Sequence, residues 1–113
     1  SSGCDPQYMG LAPIYSTKKL LDKFNLNIND IDLFEINEAF SAVVIAFSKE
    51  LNVPLEKINI NGGGISLGHP IGTSGARILT TLIYNLKRNK LKRGIATLCI
   101  GGGQGISVLV EVL

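Results

Sequence analysis

The stretch Ile95-Ala96-Thr97-Leu98-Cys99-Ile100-Gly101-Gly102-Gly103-Gln104-Gly105 constrains the fold more tightly than any other part of the chain. The apolar run at 96–100 suits a central strand covered on both faces, not one with a wet side. The glycines then make a tight turn over 101–105, and 106–112 returns as an antiparallel strand. A sheet covered on both faces needs helices, and the remaining sequence supplies them in alternation with strands. Positions 15–24 carry Leu20, Leu21 and Phe24 at helical spacing after Pro13. Asn29-Asp30 turn the chain into a strand at 31–36, and 38–51 is helical through Phe40, Val43, Val44 and Phe47. Pro54 ends that helix and 58–61 is a short strand. Gly62-Gly63-Gly64 opens a long loop that closes at Ser74, an N-cap for a helix over 75–89. The order α-β-α-β-α-β-β predicts an α/β fold: a mostly parallel sheet, helices on both faces, right-handed crossovers and a C-terminal antiparallel hairpin. A helix opens the chain with no strand before it, so the first strand of the sheet is expected to be missing.

At 113 residues the chain is one domain, and its net charge of +2 is close to neutral. Lys87, Arg88, Lys90, Lys92 and Arg93 gather between a helix and a strand, where cations favour a helix C-terminus. An anionic phosphate tail is the sharper reading of that cluster. Without interleaved aromatic residues it does not point to nucleic acid. Two cysteines and one histidine, without ligand spacing, argue against a disulfide framework and against a metal site. No segment has the length of a membrane span and no secretory signal opens the chain, which leads to the expectation of a cytoplasmic setting.

Three reactive side chains follow directly on β-forming residues: Asn37, His69 and Cys99. Residues at the carboxyl ends of strands in an open α/β sheet gather on one rim, so these three can meet there. Each has a plainer reading. Cys99 inside an apolar strand can be a small core residue, although the glycines after it bare the backbone for a ligand to approach. His69 can be structural, although it sits in a glycine-rich loop between strand and helix where Pro70 holds it extended. That loop lacks the endings of a phosphate or dinucleotide cradle. Asn37 can cap the helix after it, or its amide can hold a water against developing negative charge. Glu38 reads as a first-turn charge or as an acid, and Met9 and Phe40 as apolar walls.

The segments Asn37-Glu38-Ala39-Phe40, 61–75 and 99–105 closely resemble the three C-terminal motifs of thiolases. Gly3-Cys4-Asp5-Pro6-Gln7-Tyr8-Met9-Gly10 resembles the family segment that precedes them. The resemblance covers nearly all of residues 1–113, in order. It implies the second of two similar domains of an acyltransferase, with the first strand of that domain upstream of Ser1 and an N-terminal thiolase domain and a homo-oligomer, a homotetramer or dimer, as partners. It also implies the site residues. Cys99 would be the acid/base thiol and His69 the donor to the thioester oxygen. Asn37 would hold the water that completes this oxyanion hole, and Gly101 would offer its N–H to a second one. Met9, Ala39 and Phe40 would line the substrate path. The reaction implied is the reversible Claisen condensation of two acetyl-CoA to acetoacetyl-CoA and CoA, with coenzyme A as substrate or product and no resident cofactor. The run Cys99 to Gly105 looks more like short-chain acetyl-CoA acetyltransferases than like the 3-ketoacyl-CoA thiolases of fatty acid β-oxidation, which remain the alternative.

The family's acyl-accepting cysteine has no counterpart here, because Cys4 lacks an activating glycine context. The chain alone is therefore expected not to turn over, and acetyl-CoA condensation by residues 1–113 alone would contradict this. Ala12, Gly64 and Ser66 depart from the commonest family pattern at packing positions. A ketoacyl synthase relative would present two histidines, against one here. A non-catalytic thiolase-like interaction module is the reading of another class, and it predicts that CoA thioesters do not shield Cys99 from alkylation.

Overall fold

A computed structural model describes residues 1–113. Its elements are β1 (Ser2–Gly3), α1 (Ala12–Phe24), β2 (Leu33–Ile36), α2 (Ser41–Leu51), α3 (Gly64–Leu67), α4 (Ile71–Asn89), β3 (Arg93–Ile100) and β4 (Gln104–Glu111), with 3-10 turns at Pro6–Leu11, Ile28–Asp30 and Leu55–Lys57. The four strands form one sheet in the order β1-β4-β3-β2.

The α/β class and the C-terminal hairpin are as expected, but the sheet is mixed. Only β2 and β3 pair in parallel, from Leu33 opposite Gly94 to Ile36 opposite Thr97, whereas β3–β4 and β1–β4 are antiparallel. The opening strand is a correction to the expected order: Ser2 and Gly3 pair with Gly105 and Gln104. Two residues carry no readable period, so the sequence pattern has no signal for it. The strand expected at 58–61 is a second correction, reduced to two isolated parallel bridges, Ile58 with Phe34 of the sheet and Ile60 with Gly62. Asn59 takes a left-handed backbone at φ 47° and breaks the ladder. Its side chain replaces the missing backbone pairs, accepting from Ile36 N at 2.8 Å and donating to Ile36 O at 2.9 Å.

Both faces of the sheet are covered by helices. On one face α1 and α2 enclose Ile14, Leu21, Val43 and Phe47 with Phe34, Ile36 and Ile95 of the strands. On the other, Ile78, Leu82 and Leu86 of α4 pack on Leu33 and Ala96. The strand period of two sorts these residues, so Leu33 and Glu35 face α4 while Phe34 and Ile36 face α1 and α2. The hairpin turn is three residues long, since Ile100 pairs with Gln104. Gly103 in it has φ +80°, and a Cβ there would overlap the carbonyl of Cys4, whose N–H bonds Gly103 O at 2.7 Å.

Each helix start differs from the sequence pattern for a local reason. The first begins at Ala12, because Pro13 fits a first turn that needs no N–H from it. The second begins at Ser41, because the Glu38 side chain is bound elsewhere. The fourth begins at Ile71, with Pro70 extended at its N-cap, so Ser74 is not the cap. The basic cluster sits where α4 ends and β3 begins. Asp32 Oδ2 there accepts the N–H groups of Lys92 and Arg93 at 2.9 and 2.8 Å, and the Arg93 guanidinium pairs with Glu111. No helix is long and apolar enough to cross a membrane.

Candidate active site

The carboxyl ends of β2 and β3 lie side by side, and the chain leaving β2 stays pinned to β3 through Asn37 N–H to Thr97 O at 3.0 Å. Continuing the alternation, Asn37 turns toward α4 and Cys99 toward the α1 side. A cavity of about 430 Å3 straddles this rim. His69, Cys99, Gly101, Met9, Ala39 and Phe40 all line it, completed by Ile71, Leu98 and Ile100. Asn37 is not in the wall. It is fully buried behind it, with its Nδ2 at 3.4 Å from Nδ1 and 3.3 Å from Nε2 of His69. The seven residues singled out from the sequence therefore meet at one place, six on the cavity and one against the histidine.

His69 is aimed by the start of α4. Its Nδ1 lies 2.6 Å from the hydroxyl of Ser74, one turn into the helix and fully buried. Ser74 thus serves the ring and not the helix end. Cys99 is buried near the end of β3, makes no hydrogen bond to His69, and burial pushes its thiol pKa up from the ordinary value. Desolvation of the sulfur outweighs its backbone hydrogen bond, which pulls the other way.

Glu38 is neither a first-turn charge nor a wall of the cavity. Its Oε1 accepts from Asn59 Nδ2 and its Oε2 from Ile65 N–H, both at 2.9 Å. It therefore ties the end of β2 to the glycine loop that carries His69. The loop passes so close that a Cβ on Gly63 would come within 2.5 Å of Glu38 Cδ. Asn37 likewise caps no helix, since α2 starts only at Ser41. Ser74, Glu38 and Asn59 are the supporting residues that sequence reasoning missed as such. Asn59 and Glu38 lie far apart in sequence and have no shared period, and Ser74 reads locally as a cap. The largest cavity, about 600 Å3, lies between the end of α1 and β4. Its Ser107 hydroxyl is engaged with Ser16, Thr17 and Thr97, so it offers no free nucleophile.

Known proteins share this arrangement of elements and sequence. Residues 1–112 match the family model described as "Thiolase, C-terminal domain". An acetyl-CoA acetyltransferase of Syntrophomonas wolfei is 54% identical over 100% of this chain and 29% of its own length. A 3-ketoacyl-CoA thiolase of Aliivibrio salmonicida is 56% identical over 97% of this chain and 29% of its own. The crystal structure of the Bacillus anthracis acetyl-CoA acetyltransferase superposes with a TM-score of 0.96 at 50% identity, covering 99% of this chain and 28% of that one. The chain thus spans less than a third of the length of the relatives it matches. It belongs to the thiolase family and corresponds to that family's C-terminal domain.

Proposed function

We propose that this chain supplies the acid/base half of a thiolase active site, which acts in the reversible condensation of two acetyl-CoA to acetoacetyl-CoA and CoA. The observation that carries this reading is the convergence of Cys99 and His69 on one cavity with Asn37 held against the ring. In the condensing direction Cys99 Sγ, as thiolate, takes a proton from the α-carbon of acetyl-CoA. His69 and the water fixed by Asn37 bear the charge on the enolate oxygen. The enolate carbon then attacks the carbonyl of an acyl group on a cysteine of the N-terminal thiolase domain. A carbon–carbon bond forms, the acyl carbon–sulfur bond breaks, and the departing thiolate recovers the proton held by Cys99. A thiol with a raised pKa is seldom ionised at neutral pH but is a strong base once it is, which suits proton removal from carbon. Gly101 fits a second oxyanion site: it lines the same cavity as Cys99, and with no side chain its backbone is open to a ligand there.

A 3-ketoacyl-CoA thiolase is the second reading, favoured by the Aliivibrio relative of that name. Comparing thiolysis of acetoacetyl-CoA with that of a long-chain 3-ketoacyl-CoA separates the two. Acyl-CoA as substrate, the N-terminal domain and a homo-oligomer as partners, and a cytoplasmic setting all belong to this proposal. Loss of one oxyanion donor removes roughly 3 kcal/mol of transition-state stabilisation. His69→Ala in the complete enzyme is therefore expected to slow thiolysis about a hundredfold or more, and near-normal turnover would refute the role given to His69.

A further inference from the structure

We infer that Ser74 is the positioning residue that sets the tautomer of His69, by donating its hydroxyl proton to Nδ1 and so keeping the ring's own proton on Nε2. This inference rests on the role proposed for His69, which must donate a hydrogen bond into the cavity. A neutral imidazole carries one proton, and whichever nitrogen lacks it can only accept. Ser74 Oγ also has one proton and two neighbours, His69 Nδ1 at 2.6 Å and Pro70 O at 3.1 Å. If the proton went to Pro70, Nδ1 would have to carry the ring proton and Nε2 would be a bare acceptor, unable to support an oxyanion.

Four features decide between the arrangements. The Pro70 carbonyl already accepts two backbone N–H groups, from Thr73 at 2.8 Å and Ser74 at 2.9 Å, which fill its two lone pairs. The 2.6 Å separation belongs to the range of O–H donors and is short for a neutral N–H donor. Asn37 does not compete, because its Nδ2 is almost equidistant from the two ring nitrogens, at 3.4 and 3.3 Å. A point so placed lies off the lone-pair direction of either nitrogen, over the ring and not in line with it. Ser74 is fully buried, so no bulk water takes its proton instead. The hydroxyl thus plays toward His69 the part that an orienting group plays toward a catalytic imidazole: it touches no substrate and acts through the ring.

The test is 15N NMR of the complete protein labelled in histidine, with the His69 signals identified by their loss in His69→Gln. At a pH where the ring is neutral, the expected spectrum has Nε2 protonated and Nδ1 bare. Ser74→Ala is expected to shift this toward a mixture of tautomers, and Ser74→Thr, which keeps the hydroxyl, to restore it. In thiolysis of acetoacetyl-CoA, Ser74→Ala is expected to lower kcat about tenfold or more with little change in KM. A wild-type spectrum with the proton on Nδ1 overturns the inference even if no variant folds. An unchanged spectrum or an unchanged kcat in Ser74→Ala overturns it as well. Absence of thiolysis in the wild type, with the expected spectrum, would overturn the proposed function and leave the proton placement standing.

Discussion

Cys99 owes its environment to its place on the strand. It sits one residue before β3 gives way to glycine, deep enough to be buried yet on the wall of the cavity. Burial stabilises the neutral thiol relative to the thiolate, and only the thiolate reacts with an alkylating agent. The rate of carbamidomethylation at Cys99 should therefore rise with pH and reach half its maximum above the free-thiol value of about 8.5. Mass spectrometry of peptide 94–113 after timed iodoacetamide pulses measures this. A midpoint below that of free cysteine would mean that a donor outweighs the burial. Asn37, His69 and Cys99 were legible in the sequence because each sits at the end of a β-forming run or in a glycine loop, places that only fold geometry has to connect. Ser74 was legible as a polar residue near a helix start, but its partner is the ring five residues back. No periodicity encodes that contact.

At the level of elements, the strands and helices were readable from apolar spacing, and the misplaced boundaries all lie where a side chain overrides the local pattern. Glu38 leaves the helix path to bind the loop, Pro13 joins the helix it was expected to precede, and Asn59 substitutes for a strand. The docking of α1 on the sheet was not readable, because it depends on a buried cluster of hydroxyls. Ser107 Oγ lies 2.7 Å from Ser16, 3.1 Å from Thr17 and 2.8 Å from Thr97. These residues come from α1, β3 and β4, so the cluster sets the register of helix against hairpin in a way that apolar contacts, being non-directional, do not. Ser107→Ala removes the shared partner and leaves three buried hydroxyls short of a bond. It is expected to lower the unfolding free energy by about 1–3 kcal/mol. Urea titration followed by circular dichroism reads this directly, and a change below about 0.5 kcal/mol, the range of ordinary surface substitutions, would mean that the cluster re-pairs without it.

Across the whole molecule, the face under α4 carries a polar line through an otherwise apolar layer, from Glu35 on β2 to Asn85 on α4 and on to Asn61 beside the glycine loop. Glu35 is buried, and this pushes its pKa from about 4.5 up to about 7, with the nearby Arg77 guanidinium and the Asn85 amide pulling it only part of the way back. Its Oε2 has no hydrogen-bond partner, nor do the buried guanidinium nitrogens of Arg77. The carboxyl therefore binds a proton more tightly in the folded chain than in the unfolded one. Below pH 4.5 both states hold that proton and Glu35 costs the fold nothing. Between pH 4.5 and about 7 the unfolded state has released it while the native state keeps it, so this contribution to stability falls as pH rises. Above about 7 the native carboxyl ionises too and the loss levels off. Glu35→Gln keeps the oxygen that accepts from Asn85 and cannot ionise. The variant should match the wild type in urea midpoint near pH 4.5, exceed it increasingly up to pH 7, and hold a constant margin beyond. If the two midpoints ran parallel across this range, Glu35 and Arg77 would instead form an ion pair that holds the carboxylate charged, and α4 would be anchored to the sheet by charge as well as by its leucines.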